Sequence, residues 1–545
     1  MTRPGRRSST GSASEAFDAL VVLSGCSACR RLPGYHRHTL ILDSQERHAS
    51  APAGPARRAW NKDGWDIIVL LMIVGAAVAV RLPLMDHRMA VDESYTYLGY
   101  ARQPLSVGLS SYLYPNNHLF HTLLVHFSTG VFGSAPWAIR LPAFIAGIAL
   151  VPATYAAGRS LYNRSTGLMA AAFVAGSAPL VEYSVNARGY TIVALVFMVL
   201  LAMGPALLRS ESLRLWCAYA LLVTIGFYTV PTMLFAFGVV ASWLALSAIV
   251  EPGIARGRFV IRWIVATAAA GAATVALYWP VIAASGLKSI TANQFTRPLP
   301  FASFRSGFGS FAGDVGRYFT YALPAVFVVL VLIGFAIALA GHSRIARQRI
   351  PVAAVAVAWV LLQMIAERVL PFARVLLFLL PLFFLTAAAG IVFAIGSIRR
   401  LDKSAAAIAA TIAAAVILPL HVATTKAVDL SMERGGLPDV EAVTAWLRPR
   451  LRPGDRVVAI GTTSWPIQYY FERDGIGTRP LLISIRVADR LYLVVNTWEH
   501  ETLNEFIRTI HGTGNPPRVP GFGLPRLMRR SPDSDVYELR RGPPS

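Results

Sequence analysis

Runs of about 20 predominantly apolar residues recur from Ile67 to Ala423, and this repetition restricts the fold more than any other feature of the chain. A helix of ~20 residues crosses the ~30 Å hydrocarbon core of a bilayer, where only helices and closed barrels satisfy their own backbone polar groups. A chain that is 55% hydrophobic and 15% charged is far from a soluble composition. The sequence therefore predicts a polytopic α-helical membrane protein. The candidate spans are 67–84, 138–157, 165–181, 189–208, 215–229, 231–250, 261–284, 322–340, 351–366, 374–396 and 404–423.

The net charge of +22 invites a nucleic-acid reading until its distribution is considered. Residues 1–66 carry +4, residues 67–423 carry +15 and residues 424–545 carry +3. Positive charge concentrated in short loops between apolar runs is the positive-inside pattern and argues against nucleic acid. Basic connections at Arg159/Arg164, Arg209/Arg214, Arg256/Arg258/Arg262, Arg344/Arg347/Arg349 and Arg399/Arg400/Lys403 belong on the cytoplasmic side. Neighbouring basic loops must then be separated by an even number of crossings. This requires 215–250 to be a hairpin broken at Pro231, and it leaves Leu119–Phe132 no crossing to make. At ~22 Å of helix that segment is also short, and it carries His121 and His126. It reads as a juxtamembrane helix at the outer interface.

About eleven crossings result, with a cytoplasmic N-terminus in the cell inner (plasma) membrane and an extracytoplasmic C-terminus. Residues 1–64 read as a disordered basic cytoplasmic tail, and 65–423 as the transmembrane domain with its first extracytoplasmic loop at 85–137. Residues 424–545 read as a small soluble extracytoplasmic α/β domain, since helical patterns at Val440–Leu451 and Glu499–Ile510 alternate with apolar runs at 456–460 and 491–495. The Cys26–Cys29 pair has no second pair and no metal-ligand spacing around it, so it is read as incidental.

Only nine Asp or Glu residues lie between Ile67 and Ala423, and two of them, Asp92 and Glu93, are adjacent just beyond the first span. Carboxylates beside lipid are costly, which makes this pair the first candidate for chemistry. Asp92 suits a general base or a metal ligand, and equally the N-cap of a helix whose first turn holds Glu93. On the same side stand Arg140, Arg188 and Arg374, whose planar guanidinium suits a phosphate; snorkelling to lipid headgroups is the alternative. His118 and His121, three residues apart, could share a divalent metal or simply hydrogen-bond beside Asn116 and Asn117. Glu182 and Tyr183 fall in the next loop on that side.

Taken in order, these pieces resemble a known family. They are Val91-Asp92-Glu93-Ser94-Tyr95, Tyr114-Pro115-Asn116-Asn117-His118, Ala138-Ile139-Arg140-Leu141-Pro142, Gly158-Arg159-Ser160-Leu161-Tyr162, Tyr183 to Tyr190, and Pro371-Phe372-Ala373-Arg374. The chain is similar over roughly 65–475 to GT-C glycosyltransferases of the protein O-mannosyltransferase and lipid A aminoarabinose transferase type, glycosyltransferase family 39. The resemblance implies a GT-C fold and a sugar donor carried on polyprenyl phosphate in the outer leaflet. It implies an acceptor that is an envelope glycan, lipid or protein, with Asp92 and Glu93 as the catalytic motif and Arg140, Arg188 and Arg374 as phosphate ligands. Asn117, His118, Glu182 and Tyr183 become acceptor or loop candidates, with a metal at His118 and His121 a secondary reading and no cofactor firmly implied. Asn116-Asn117-His118 stands where the aminoarabinose transferases carry Lys-Pro, which leaves the acceptor open. The alternative is a transporter or flippase of lipid-linked sugars, although its coupling charges would be expected inside spans. A non-catalytic envelope-assembly relative is a third class, which a degraded acidic motif would favour; this motif is intact.

Overall fold

The structure, a computed structural model, describes residues 62–112, 116–292, 297–398, 402–431, 433, 435–481, 488–510 and 518–542. The tail assigned to 1–64 lies almost entirely outside the described residues, as do Cys26, Cys29, Tyr114, Pro115, Arg399 and Arg400.

The principal helices are α1 (Lys62–Arg81), α2 (Leu119–Phe132), α3 (Pro136–Leu161), α4 (Arg164–Ala175), α5 (Tyr190–Leu207), α6 (Leu213–Thr229), α7 (Met233–Val250), α8 (Arg256–Ser285), α9 (Phe301–Phe319), α10 (Ala325–Ala340), α11 (Val352–Glu367), α12 (Leu379–Ser397) and α13 (Lys403–Thr425). Among the described residues seven helical stretches are long and apolar enough to cross a membrane: Gly64–Leu84, α3, α5, α7, α8, α12 and α13. Each coincides with a predicted span, and three further predicted spans fall on the shorter apolar helices α6, α10 and α11. The chain is a multi-pass membrane protein.

The predicted span 165–181 is not continuous. Helix α4 stops at Ala175, and a second helix runs from Ala178 to Ser184. Two local causes coincide. Gly176 lies so close to α13 that an added Cβ would come within 2.5 Å of the Leu418 Cβ, and Pro179 sits in the first turn of the new helix, where its missing N–H costs nothing. The buried Arg81 guanidinium donates to the Ala175 carbonyl at 2.7 Å, placing positive charge at the carboxyl end of α4.

Helices α3 and α4 occupy the centre, packed against α5, α12 and α13. Small residues set how close the helices come: a Cβ on Gly390 of α12 would sit 1.8 Å from the Gly334 carbonyl oxygen of α10. Such backbone-to-backbone approach is the usual basis of helix association where apolar surface alone gives no preference for protein over lipid.

After α13 the chain builds α14 (Val440–Leu447), α15 (Ser464–Arg473), α16 (Leu503–Thr509) and four strands, β1 (Arg456–Val458), β2 (Arg490–Asn496), β3 (Arg526–Arg530) and β4 (Ser534–Arg540). The strand order is β1-β2-β4-β3, with β1 and β2 parallel and the other pairs antiparallel. A small mixed α/β region is therefore present as expected. It does not stand apart from the first loop: Leu437, Val443, Ile467 and Tyr470 share one buried cluster with Met89, Leu98, Val125, Ile139 and Ala187. The Tyr470 hydroxyl also accepts from the Met89 backbone N–H at 3.0 Å. Helix α15 thus closes over the segment that carries the acid pair.

Candidate active site

The chain leaves the first long helix through a short turn at Leu82–Leu84 and re-forms a helix at Val91–Tyr95, which continues as a π-helical turn at Thr96–Ala101. Such turns are over-represented at functional sites. Ala90 is the N-cap of this helix, so Asp92 does not fill that role; the cap N–H is satisfied by Glu93, whose Oε2 accepts from Ala90 at 2.9 Å. Asp92 is left with its carboxylate 38% exposed, whereas Glu93 is fully buried.

Glu93 and Arg140 form a closed unit. Arg140 Nε donates to Glu93 Oε1 and one terminal nitrogen to Oε2, both at 2.7 Å. The remaining guanidinium N–H groups reach the carbonyls of Leu84, Met85, His87 and Arg88 at 2.7 to 3.2 Å. Glu93 Oε1 also accepts the Ala187 backbone N–H at 2.9 Å. A buried ion pair persists only when its remaining hydrogen-bonding capacity is used, and here it is. Every N–H of Arg140 is spent inside the protein, which leaves none for a phosphate. Its geometry is that of a staple joining residues 84–93 to residue 187, in place of the expected phosphate ligand.

That staple brings Asp92, next to Glu93, beside Arg188, next to Ala187. Arg188 Nη1 lies 3.4 Å from Asp92 Oδ2, with the arginine side chain only 5% exposed. Its Nε and Nη1 are buried without hydrogen-bond partners. Burial works against the Arg188 charge, yet Asp92 and Tyr190 outweigh it and hold the pKa above the ordinary arginine value. The guanidinium also lies over the Tyr190 ring, 5.6 Å from its centroid.

Arg374 joins the same cluster from the 3-10 turn Ala373–Leu376, ahead of α12. It donates to Glu433 Oε2 at 3.0 Å and stacks over Phe372 at 4.1 Å. The Tyr183 hydroxyl donates to the same Glu433 oxygen at 3.2 Å, and the Tyr183 and Tyr190 rings meet edge to face. The Nε of Arg374 and the hydroxyl of Tyr318 are both buried without hydrogen-bond partners. Asp92, Arg188, Arg374, Tyr183 and Tyr190 are thus brought into one polar cluster.

The other candidates are supports. Asn117 donates to the carbonyls of Gly108 and Ser111, both at 2.8 Å, and accepts from Thr122, which ties off the loop before α2. His118 Nδ1 accepts the Gly189 N–H at 2.8 Å, which places its ring proton on Nε2. Burial, helped by Arg188, lowers the His118 pKa well below the usual imidazole range and that of His121 to about 3. Burial thus favours the neutral form of both imidazoles. Glu182 is buried and accepts from the Ser431 hydroxyl at 2.8 Å. Among the described residues no group of three or more His, Cys, Asp or Glu side chains could hold a metal ion, so His118 and His121 lack a third ligand.

Glu433 and Tyr318 were not visible in the sequence reading. Glu433 lies 250 positions from Tyr183 in a polar segment that composition groups with the C-terminal domain. Tyr318 reads as one more aromatic among the phenylalanines of α9.

Residues 117–279 match the profile of the dolichyl-phosphate-mannose-protein mannosyltransferase family. The structure superposes on that of ArnT from Cupriavidus metallidurans in the apo state with a TM-score of 0.54 and 10% identity, covering 87% of this chain and 98% of that one. The chain has the GT-C glycosyltransferase fold. ArnT bound to undecaprenyl phosphate is similar at a TM-score of 0.51 and 10% identity, covering 88% of this chain and 98% of that one. An apo oligosaccharyltransferase from Archaeoglobus fulgidus gives a TM-score of 0.48 and 13% identity, over 81% and 70% of the two chains. A comparison with curated proteins finds no match in sequence. The matched profile segment of this GT-C protein begins at Asn117, after the acid pair, so the roles of Asp92 and Glu93 rest on their geometry and on the motif resemblance.

Proposed function

We propose that this GT-C protein transfers a sugar from a polyprenyl-phosphate carrier to an acceptor hydroxyl on the extracytoplasmic side of the plasma membrane, with Asp92 as general base. The acceptor is an envelope glycan, lipid or protein. The proposed topology has eleven crossings, a cytoplasmic N-terminus and an extracytoplasmic C-terminal domain, as the basic loops require. The observation that carries the reading is a half-open carboxylate, Asp92, 3.4 Å from a buried cation, Arg188, two of whose nitrogens, Nε and Nη1, have no hydrogen-bond partner. The undecaprenyl phosphate named for the similar ArnT structure supports a lipid phosphate as the anion those donors await.

In this scheme the acceptor oxygen attacks the anomeric carbon as the bond from that carbon to the phosphate oxygen breaks. The acceptor proton passes to Asp92, and the electron pair leaves with the phosphate, where Arg188 and Arg374 neutralise the growing charge. A single displacement inverts the anomeric centre and needs only one base. Glu93 and Arg140 take no proton; they fix the distance between Asp92 and Arg188.

Arg188→Ala is expected to weaken binding of a short-chain polyprenyl phosphate by about ten- to a hundredfold, the usual worth of charge-assisted hydrogen bonds to one group. Arg188→Lys should recover only part, because a point charge lacks the fork. Titration of the purified protein in detergent measures both. Unchanged affinity in both variants would remove Arg188 from the phosphate site.

A further inference from the structure

We infer that Glu433 is a built-in counter-ion which occupies the phosphate-binding donors when no lipid phosphate is present and competes with the leaving polyprenyl phosphate for them. The inference rests on the phosphate reading of Arg188 and Arg374. Glu433 presents one oxygen, Oε2, to two donors from different parts of the chain, Arg374 Nη1 at 3.0 Å and the Tyr183 hydroxyl at 3.2 Å. An oxygen held by a guanidinium and a phenol is what a phosphate oxygen would find there.

The donors outnumber what one carboxylate can use. Arg374 Nε, the Tyr318 hydroxyl and two nitrogens of Arg188 remain buried without hydrogen-bond partners. Tyr318 feels the Glu433 charge and Arg188 feels that of Arg374, so these groups form one electrostatic cluster. Buried donors without acceptors are costly, and a carboxylate that serves two of them leaves the rest for a larger anion. A phosphate has more oxygens and a wider reach. The pair also stays within reach of solvent, with the Arg374 and Glu433 side chains 21% and 29% exposed.

Charge gives the competition a direction. A polyprenyl-phosphate sugar is a phosphodiester with one negative charge and two unbridged oxygens. The polyprenyl phosphate left after transfer is a monoester with three such oxygens and, with its second pKa near 6, a charge between about −1.5 and −2 at neutral pH. The product therefore holds the arginines more tightly than the substrate does. A tethered carboxylate that returns to Arg374 offsets this, keeping the arginine paired while the product leaves. Glu433 lies eight residues beyond the end of α13 at Thr425, so its exchange also couples the cluster to the junction with the C-terminal region.

The test titrates polyprenyl phosphate into wild type, Glu433→Gln, Glu433→Asp and Arg374→Ala, each checked for an unchanged melting profile. If Glu433 holds the donors for about nine-tenths of the time, apparent affinity is lowered about tenfold. Glu433→Gln should then bind about tenfold more tightly, and Glu433→Asp, which withdraws the carboxylate by one methylene, should move the same way by a smaller factor. Arg374→Ala should bind more weakly than wild type. Weakened binding in Arg374→Ala with unchanged or looser binding in both Glu433 variants would overturn the counter-ion and leave the phosphate site standing. Unchanged binding in Arg374→Ala would overturn the role of Arg374 in phosphate binding, and the counter-ion with it.

Discussion

Asp92→Asn is expected to lower the rate of sugar transfer by about 10²- to 10⁴-fold, the usual contribution of a positioned general base, while the affinity for polyprenyl phosphate holds or rises. The two effects separate because Asp92 has two neighbours in this scheme. Toward solvent its carboxylate is 38% exposed and can receive an acceptor hydroxyl; toward the protein it faces Arg188 at 3.4 Å. The amide removes the proton acceptor, and it also removes a negative charge that would otherwise repel the lipid phosphate. Rate measurements at saturating donor, paired with lipid titration, distinguish this from a structural role. A variant that lost phosphate binding and rate together would mark Asp92 as a support for Arg188.

The second large effect concerns stability. Glu93→Gln is expected to destabilise the protein by about 3–5 kcal/mol, the cost of leaving one partner of a buried ion pair uncompensated, and Arg140→Lys by about 1.5–3 kcal/mol through lost hydrogen bonds. The glutamine keeps the shape of Glu93 but no longer balances the fully buried Arg140 charge. The lysine keeps the charge but offers three N–H donors where the two Glu93 oxygens and four backbone carbonyls now receive five. Thermal unfolding in detergent measures the loss. Either variant melting with wild type would show that the pair does not hold the loops together.

The staple also shows where the sequence was legible. Apolar run lengths located the helices, because covering a hydrocarbon core is a demand each segment meets alone; Leu119–Phe132, expected to lie along the interface, also appears as a helix with those bounds. The break at Gly176 escaped, since it depends on the close approach of α13, a contact no local pattern encodes. Arg140 and Arg188 look alike as sequence: each is a lone cation at a loop-to-helix boundary on the same side. What divides them is whether their N–H groups are spent, and that is a property of carbonyls some 50 residues away. Glu433 was hidden for the same reason, as one of 14 acidic residues after Ala423. Asp92 stood out because carboxylates are scarce near the membrane, while only the helix boundary at Ala90 removed the N-cap alternative.

Reconstitution of the wild-type protein into liposomes with a radiolabelled polyprenyl-phosphate sugar and extracts of candidate envelope acceptors tests the central claim most directly. Sugar transfer predicts label on an acceptor, an inverted anomeric centre in the product and one polyprenyl phosphate released per sugar moved. Label that crosses the bilayer still attached to its lipid, with no acceptor product and no released polyprenyl phosphate, would contradict sugar transfer and make the protein a carrier of lipid-linked sugars.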